Sequence, residues 1–396
     1  MNILIINTGS SSIKFQLMHM PAEDVLCSGM VDRIGLENGN LKYTKTDYET
    51  TEILQFSSHK KGLERVIELL LDPDKGAIAG VSEIDAVGHR VVHGGTAFSE
   101  TTIINQEVKD KIRDLSQLAP LHNPHNLEGI LIAEELFPDA LQVAVFDTAF
   151  HQTIPLKARK YAIPNEFYTD HGIQLYGFHG TSHKYVSEKA INILGKKAAK
   201  IISIHLGNGC SITAVRNGKS VDHSLGFAPS NGLIMGSRSG DIDHSMIFYL
   251  VESLGYSLRE VNELLNKKSG MLGLTGYSDL REIQAKANEG NVQCQLALEM
   301  NAYRIKKYIG AYSMVMNGLD ALVFTAGIGE NSDYLRSLVC SEMDFLGIEL
   351  DTGKNAQKSS EIREIQKNAS RVKIMVIPTN EELEIAKQSF QLLKNS

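Results

Sequence analysis

Two stretches of the sequence repeat one pattern, ILIINTGSSSIKFQL at residues 3–17 and IISIHLGNGCSITAV at residues 201–215. Each consists of an apolar run, a short turn of Gly, Ser, Thr or Asn, and a second run rich in apolar residues, which predicts two strands joined by a tight turn. A second pair of similar segments follows in the same order, at residues 85–87 and 320–322, each ahead of a glycine-containing turn. Two pairs in the same order favour a duplicated domain over a chance likeness of two hairpins.

Short apolar runs alternate with longer segments of helical periodicity along the chain. The apolar runs predict strands at residues 3–7, 84–92, 142–147, 201–206, 320–325 and 373–377. The helical periodicity predicts helices at residues 60–71, 105–118, 184–194, 245–254, 257–267, 291–316 and 381–394. Continuous apolar strands that alternate with helices are typical of an α/β fold, in which largely parallel sheets are covered on both faces.

Composition restricts the classes of partner. The 396-residue chain has 40 Lys and Arg against 47 Asp and Glu, a formal charge of −7, so no basic footprint for nucleic acid is expected. No apolar run approaches the ~18–20 residues that span a bilayer, and the N-terminus has no signal-peptide pattern. The 4 cysteines have no paired spacing. We therefore expect a cytoplasmic protein that binds neither nucleic acid nor membrane.

Three glycine-containing turns have the composition of anion-binding loops: NTGSSS at residues 7–12, HLGNG at 205–209 and TAGIGEN at 325–331. Glycine lets a ligand approach the backbone, whose N–H groups can surround a phosphate. None of the turns has the spacing of a Walker A or G-x-G-x-x-G motif. Taken alone, the first of these turns is better explained as an ordinary hairpin with a polar turn. Together they favour a nucleotide cleft between the two lobes.

Three charged residues lie beside predicted strand ends or in a glycine-rich loop. Arg90 lies within an apolar strand and needs either an anionic ligand or an internal ion pair. Arg238 has small neighbours, and its alternatives are an exposed ligand contact or a salt bridge to Asp241 or Asp243. Asp147 follows a buried strand, where ligands of open α/β sheets gather, although an Asp there can also cap a helix.

The histidines do not predict a transition-metal site. They form three close pairs without an H-E-x-x-H pattern or accompanying cysteines, namely His89 with His93, His122 with His125, and His179 with His183. Most are expected to be structural. Among them, His179 is the best functional candidate because glycines flank it and leave its ring open to a cleft.

NTGSSSIKF at residues 7–15 and GFHGTSH at residues 177–183 resemble the two signature motifs of the acetate kinase family. Further matches follow in family order over nearly the whole chain: HRVVHGG (89–95), LAPLHNP (118–124), FDTAFHQTIP (146–155), HLGNG (205–209), RSGDID (238–243), GIGEN (327–331) and IPTNEEL (377–383). The family shares the superfold of sugar kinases, Hsp70 and actin. The resemblance implies two duplicated actin-like ATPase (ribonuclease H-like) lobes with an active-site cleft between them. The first lobe is expected at residues 1–150 plus a C-terminal helix at about 383–396, and the second, with the nucleotide site, at residues 151–382.

The resemblance also implies roles for individual residues. Asp147, His179 and Arg238 would be catalytic, and Asn7 and Glu381 would hold Mg²⁺ or Mn²⁺. Arg90 would bind the carboxylate or phosphate of the acyl substrate, beside an apolar pocket of Val92, Leu121, Phe178 and Pro229. The residues implied in binding ATP or ADP are Lys14, His205, Leu206, Gly207, Asn208, Gly209, Asp279, Leu280, Arg281, Gly327, Ile328, Gly329, Glu330 and Asn331.

The implied activity is reversible, Mg²⁺-dependent, in-line transfer of the γ-phosphoryl group of ATP to acetate, which gives acetyl phosphate and ADP. The family also implies a homodimer. Acetate is already ionised at pH 7 and needs no general base, so Asp147 is expected to orient Arg90, the metal shell or acetate rather than to remove a proton. Because GIGEN is intact, ATP is a better expectation than pyrophosphate.

One loop departs from the family pattern. The family usually reads approximately DTSMGxTPLEGLxMGTRSGDIDP, and residues 222–244 read DHSLGFAPSNGLIMGSRSGDIDH. Ala228, Ser230 and Asn231 flank Pro229 of the implied apolar pocket, so the preferred chain length of the acid is the property most affected. Propionate kinase is therefore the alternative activity. A catalytically idle nucleotide-binding module of the same fold is a more remote one, because Arg90, Asp147, His179 and Arg238 are all present.

Overall fold

The structure is a computed structural model that describes residues 1–395; residue 396, the last residue of the predicted C-terminal helix, lies outside that range. The strands are β1 Asn2–Thr8, β2 Ser12–His19, β3 Asp24–Asp32, β4 Gly39–Lys45, β5 Tyr48–Leu54, β6 Ala86–Val91, β7 Thr102–Ile103, β8 Leu141–Phe146, β9 Lys200–Leu206, β10 Cys210–Arg216, β11 Lys219–His223, β12 Ala321–Thr325, β13 Arg363–Glu364 and β14 Lys373–Val376. The helices are α1 His59–Leu70, α2 Gln106–Asp114, α3 Asn123–Leu136, α4 Leu156–Arg159, α5 Asn165–Thr169, α6 Gly180–Leu194, α7 Ser245–Glu252, α8 Leu258–Lys267, α9 Gly270–Thr275, α10 Leu280–Asn288, α11 Val292–Met316, α12 Ala326–Asn331, α13 Asp333–Cys340, α14 Thr352–Ala356 and α15 Glu381–Asn395. Short 3₁₀ turns occur at Val81–Glu83, Leu115–Gln117, Ala149–Thr153 and Asp344–Leu346.

The described chain divides into two units. Unit 1 contains Met1–Phe150 together with the residues from Asn380 onward, and unit 2 contains His151–Thr379. The sheet of unit 1 has the strand order β5-β4-β3-β2-β1-β6-β8-β7, and the sheet of unit 2 has the order β11-β10-β9-β12-β14-β13.

The two sheets share an inner arrangement. In unit 1, β1 pairs antiparallel with β2 and parallel with β6, which pairs parallel with β8. In unit 2, β9 pairs antiparallel with β10 and parallel with β12, which pairs parallel with β14. The strands that begin the two sequence repeats, β1 and β9, occupy equivalent positions. The topology therefore confirms the duplicated α/β fold expected from the sequence.

The central strand of unit 1 is buried on both faces. Leu4 and Ile6 belong to the core that α1 and α3 complete, with Leu63 among its members. The helix α15 packs on β1 and β6, and Gly88 of β6 lies so close to it that a Cβ would come within 2.9 Å of Ile385. The C-terminal helix thus supplies a layer of unit 1, and its first turn lies beside the strands that carry Asn7 and Arg90.

Within residues 1–395, no helix is both long enough and apolar enough to cross a bilayer.

Candidate active site

A cluster of charged side chains lies at the end of β6 and β8 in unit 1. The Nε and Nη2 atoms of Arg90 both donate to Oδ2 of Asp147, at 3.0 and 2.6 Å. Asp147 follows β8, its N–H donates to the carbonyl of Val91, and its side chain is only 1% exposed. The Nη1 atom of Arg90 lies 3.8 Å from Oε2 of Glu381, the first residue of α15. The internal ion pair considered for Arg90 is therefore observed, and it joins two predicted site residues.

Burial removes these charged side chains from water, which raises the free energy of their ionised forms. Desolvation raises the pKa of Glu381, and the nearby Arg90 guanidinium opposes that shift. Arg90 and Lys14 both favour the ionised form of Glu381. A divalent cation that joined these carboxylates would find oxygen ligands already desolvated and oriented.

The turn between β1 and β2 is fixed by bonds to its backbone. The N–H of Gly9 donates to the carbonyl of Ser12 at 2.8 Å, and the side chain of Asn126 donates to the carbonyl of Thr8 at 2.9 Å. Asn7 pairs with Lys14 across the two strands. The Nζ atom of Lys14 contacts Glu382 at 2.6 Å, so this predicted phosphate contact is held by an acid next to Glu381.

The residues of the implied apolar pocket are distributed over both units. Val92 and Leu121 belong to unit 1, and Leu121 is 66% exposed. Phe178 and Pro229 belong to unit 2, where Phe178 is buried. Each unit by itself therefore contains only part of the predicted acyl pocket.

A group of histidines lies beneath the first turn of α6 in unit 2. His179 precedes the helix with a left-handed φ of 56°, and its Nδ1 lies 2.9 Å from the hydroxyl of Ser211. Its ring stacks on His205, with centroids 4.4 Å apart. Burial holds the pKa of His183 and His223 well below the usual range, with neighbouring histidines adding to the shift. These two rings are therefore neutral at pH 7.

Arg238 lies beside this group, and none of the carboxylates that the structure describes pairs with it. Its Nη1 donates to the carbonyl of Pro229 at 2.8 Å, and it forms no ion pair within residues 1–395. The carboxylate of Asp241 instead accepts from the backbone of Gly232 and from Tyr308, each at 2.7 Å. Of the two alternatives for Arg238, the salt bridge to a nearby Asp is therefore absent. Burial lowers the pKa of its guanidinium, as expected for a cation without a counter-charge.

His179 and Arg238 approach the same glycine. A Cβ on Gly209 would lie 3.4 Å from His179 Nε2 and 3.7 Å from Arg238 Nη1. Two side chains that can donate hydrogen bonds thus border the HLGNG turn, where the strands β9 and β10 meet. Such an arrangement suits a group with several negatively charged oxygens.

Unit 2 contains a cavity of about 850 Å³. The predicted nucleotide residues that line it come from three segments: Gly207, Asn208, Asp279, Leu280, Arg281, Gly327, Ile328 and Asn331. Other predicted nucleotide residues of unit 2 do not line it: His205, Leu206, Gly209, Gly329 and Glu330. Residues not predicted from the sequence complete the lining: Cys210, Ile234, Met235, Gly236, Met271, Ser278, Gln284, Asn301, Ser332 and Lys358. The structure therefore brings the three segments together around a space of nucleotide size.

Two of the cavity walls are positioned by local bonds. Asp279 caps α10 and also binds Arg281, whose Nη2 lies 2.5 Å from Oδ2. The buried Arg336 donates to the carbonyls of Gly329 and Glu330, and so holds the end of α12 in place. Sequence reasoning did not identify Arg336, although an Arg within the apolar pattern YLRSLVC is a signal for a buried support.

The comparisons with known proteins agree over the full chain. The profile of the acetokinase family matches residues 2–387. The chain is 64% identical over 395 residues to an acetate kinase from Flavobacterium johnsoniae and 52% identical over 399 residues to one from Acetivibrio thermocellus, each covering 100% of both chains. It is similar to a crystal structure of Porphyromonas gingivalis acetate kinase, with a TM-score of 0.93, 45% identity and 99% coverage of each chain. It is equally similar to a propionate kinase from Francisella tularensis, with a TM-score of 0.92, 44% identity and 98% coverage of each chain.

Proposed function

The chain belongs to the acetokinase family, whose members are kinases with a carboxylate acceptor, and we propose that it transfers the γ-phosphoryl group of ATP reversibly to acetate. The products are acetyl phosphate and ADP, and the transfer is direct and in-line. One observation carries the proposal, the 64% identity with an acetate kinase over the whole of both chains. The charged cluster of unit 1 and the cavity of unit 2 supply the chemistry that this reaction needs.

We propose that Arg90 binds the acceptor. Its Nε and Nη2 are held by Asp147, which fixes the plane of the guanidinium. A fixed planar cation suits the carboxylate of acetate or the phosphate of acetyl phosphate. Asp147 then acts as a positioning residue, and no proton transfer is asked of it because acetate enters the reaction ionised.

The nucleotide is assigned to the cavity of unit 2. Its volume of about 850 Å³ lies within the range of small-molecule and cofactor sites. A Cβ on Gly327 would meet nothing within 4 Å, so the backbone of α12 is bare where the cavity opens onto it. We propose that the adenosine lies against this surface and that the HLGNG turn receives the phosphates.

The transferring phosphoryl group needs a cation whose charge is not already offset by a carboxylate. Arg238 and His179 flank Gly209, and Arg238 is unpaired within residues 1–395. Phosphoryl transfer spreads negative charge over the equatorial oxygens, which such donors stabilise in the transition state. We propose that His179 donates from Nε2 and that Arg238 neutralises the migrating group.

The donor set of unit 1 fits a hard divalent cation. Asn7 supplies an amide oxygen and Glu381 a desolvated carboxylate, and oxygen ligands are those that Mg²⁺ prefers. We propose that these two residues hold Mg²⁺, with Mn²⁺ as a substitute. Bound there, the ion supplies positive charge that offsets the repulsion between acetate and the triphosphate.

Two further properties are proposed on surface and cysteine chemistry. Large apolar side chains are exposed on α7 and on α11 of unit 2, among them Phe248, Tyr249 and Tyr303, and their exposure supports a homodimer. The cysteines at positions 27, 210, 294 and 340 are all free and buried, which supports a reducing, cytoplasmic location.

Propionate is the second candidate substrate, because a propionate kinase is as similar in structure as an acetate kinase. The residues beside Pro229 also depart from the usual family pattern. One methylene changes discrimination by about 1–3 kcal/mol, so both acids are expected to react with different kcat/KM. Kinetics with acetate, propionate and butyrate at saturating ATP rank the candidates, and a higher kcat/KM for propionate would reverse our assignment.

A hydroxylamine-trapping assay tests the proposed reaction itself. Purified protein with acetate, ATP and Mg²⁺ is expected to form acetyl hydroxamate in proportion to ADP. ADP without hydroxamate would indicate ATP hydrolysis, and no turnover with any short-chain acid would support the idle nucleotide-binding module. Replacing ATP with pyrophosphate in a parallel reaction identifies the phosphoryl donor.

A further inference from the structure

Three side chains of unit 1 meet between α1 and α3, outside the proposed active site. His59 is the first residue of α1, and His125 and Glu128 lie one turn apart on α3. Ligand atoms of the three residues all lie within 4.8 Å of one another. His59 Nδ1 is 3.6 Å from one carboxylate oxygen of Glu128, and His125 Nδ1 is 3.7 Å from the other.

The hydrogen bonding of His59 fixes which nitrogen faces the carboxylate. Its Nε2 lies 2.8 Å from the carbonyl oxygen of Gly9, and a carbonyl can only accept, so Nε2 carries the proton. In the neutral ring Nδ1 therefore presents a lone pair to Glu128. Histidines that bind metal ions usually have this arrangement, with the second nitrogen donating to a backbone carbonyl or carboxylate.

The separations suit a metal ion better than direct hydrogen bonds. At 3.6 and 3.7 Å the nitrogen–oxygen pairs are too long to be hydrogen bonds. Ligands of a tetrahedral zinc ion at bond lengths of about 2.0–2.1 Å lie about 3.3 Å from one another. The two nitrogens face different oxygens of Glu128, and the three ligand atoms lie within 4.8 Å of one another, so the side chains need to draw together by at most about 1.5 Å for one oxygen to join both nitrogens on an ion. His59 is almost buried, whereas His125 and Glu128 are partly exposed, which leaves a side open for a water ligand.

We propose that His59, His125 and Glu128 form a binding site for Zn²⁺ or a divalent transition-metal ion of similar preference. Two imidazoles with one carboxylate favour such an ion over Mg²⁺, which takes oxygen ligands. This site was not predicted from the sequence, because His59 is distant in the chain from His122 and His125. The site shares no residue with those proposed for phosphoryl transfer, although His59 bonds to the carbonyl of Gly9 in the turn that follows Asn7.

Titration with Co²⁺ tests the site on the full-length, untagged protein, in the absence of Mg²⁺ and nucleotide. The wild type is expected to bind Co²⁺ with the intense visible absorption of four-coordinate cobalt, and Zn²⁺ is expected to abolish that absorption by displacement. His125→Gln and Glu128→Gln each remove one exposed ligand and leave the buried His59–Gly9 bond in place. Each is expected to weaken binding at least tenfold.

Two controls separate this site from other cation sites. His244 also lies beside a carboxylate, 4.0 Å from Asp243, but belongs to no three-ligand group within residues 1–395, so His244→Gln is expected to bind Co²⁺ as the wild type does. Glu381→Gln removes the carboxylate proposed for Mg²⁺ and is also expected to retain the cobalt spectrum. Loss of the spectrum in Glu381→Gln, its retention in both His125→Gln and Glu128→Gln, or its absence from the wild type would overturn the proposal.

Thermal unfolding gives a second readout for variants that fold poorly. An ion that binds only the folded state stabilises it by an amount that grows with the logarithm of the ion concentration above Kd, so Zn²⁺ is expected to raise the Tm of the wild type. The same rise is expected for His244→Gln and little or none for His125→Gln. An equal rise in all three proteins would contradict the assignment even if Glu128→Gln could not be purified.

Discussion

The two guanidinium groups of the proposed active site have opposite surroundings. In unit 1, Arg90 lies among carboxylates, with two donors on Asp147 and the third nitrogen 3.8 Å from Glu381. In unit 2, Arg238 donates to the carbonyl of Pro229 and has no carboxylate partner within residues 1–395. A paired cation has its orientation fixed and its charge largely cancelled, whereas an unpaired, partly buried one keeps its field for an incoming anion.

Because of this difference, we expect Arg90 and Arg238 to have different roles in the reaction. Arg90 is suited to holding a substrate whose charge hardly changes during the reaction. Arg238 is suited to the group on which negative charge develops, and the neutral rings of His183 and His223 add no competing cation beside it. The largest loss of turnover should therefore come from unit 2, and the largest loss of folding stability from unit 1.

Replacing Arg238 with Ala is the strongest test of this contrast. We expect kcat to fall by about 10²- to 10³-fold, the size associated with losing one well-placed electrostatic group in a transition state. The free energy of unfolding should change little, because no ion pair is broken. Steady-state kinetics and urea denaturation measure the two quantities, with Arg238→Lys as the matched variant that retains the charge but not the planar donor set.

Asp147→Asn tests the other side of the contrast. The substitution leaves the buried Arg90 without its main counter-charge, and breaking such a pair is expected to cost about 3 kcal/mol of unfolding free energy. We also expect kcat/KM for acetate to fall at least tenfold, because Arg90 loses its fixed orientation. Wild-type stability together with wild-type kcat/KM would show that Asp147 does not position Arg90.

Lowering the pH tests whether the histidines beside Arg238 are uncharged in the folded protein. The pKa of His223 is well below its unfolded value of 6.5 because of burial, and its Nε2 accepts the N–H of Phe178 at 3.1 Å. Below pH 6.5 the unfolded chain thus binds a proton that the folded chain does not, so stability falls as pH falls. The loss is up to about 1.4 kcal/mol per pH unit, or about 2 kcal/mol at pH 5.

Denaturation curves from pH 7 to pH 5 measure this loss. His223→Gln should have a shallower pH dependence than the wild type, whereas the exposed His244→Gln should keep the same slope. An unchanged slope in His223→Gln would mean that this ring is protonated in the folded protein. The protonated ring of His223 would then be a second cation in unit 2, and Arg238 would not be the isolated cation that its contrast with Arg90 requires.

The contrast itself was only partly predictable from the sequence. The repeated strand–turn–strand pattern predicted the two sheets, and two of the three glycine segments, HLGNG and TAGIGEN, contribute residues to the lining of the cavity, because these are properties of short contiguous stretches. Whether Arg90 pairs with Asp147 and Arg238 remains unpaired depends on side chains distant in the chain. The helix Asn123–Leu136 escaped prediction because its apolar residues ILIA run consecutively and mark no single apolar face.

The smallest effect is expected from Gly327→Ala, which tests the nucleotide site without disturbing the fold. A methyl group there meets nothing within 4 Å, as is also true of the helical Gly310, which does not line the cavity. Both substitutions should leave stability unchanged or raise it by up to about 1 kcal/mol, since Ala favours helix more than Gly does. Only Gly327→Ala should raise the KM for ATP, by about tenfold or 1.4 kcal/mol, because its methyl group would occupy the surface on which we place the adenosine. An equal KM for ATP in the two variants would show that the adenosine does not lie against α12. Arg238 would then remain the proposed anion site of unit 2, but the ATP that donates the phosphoryl group would have no assigned place.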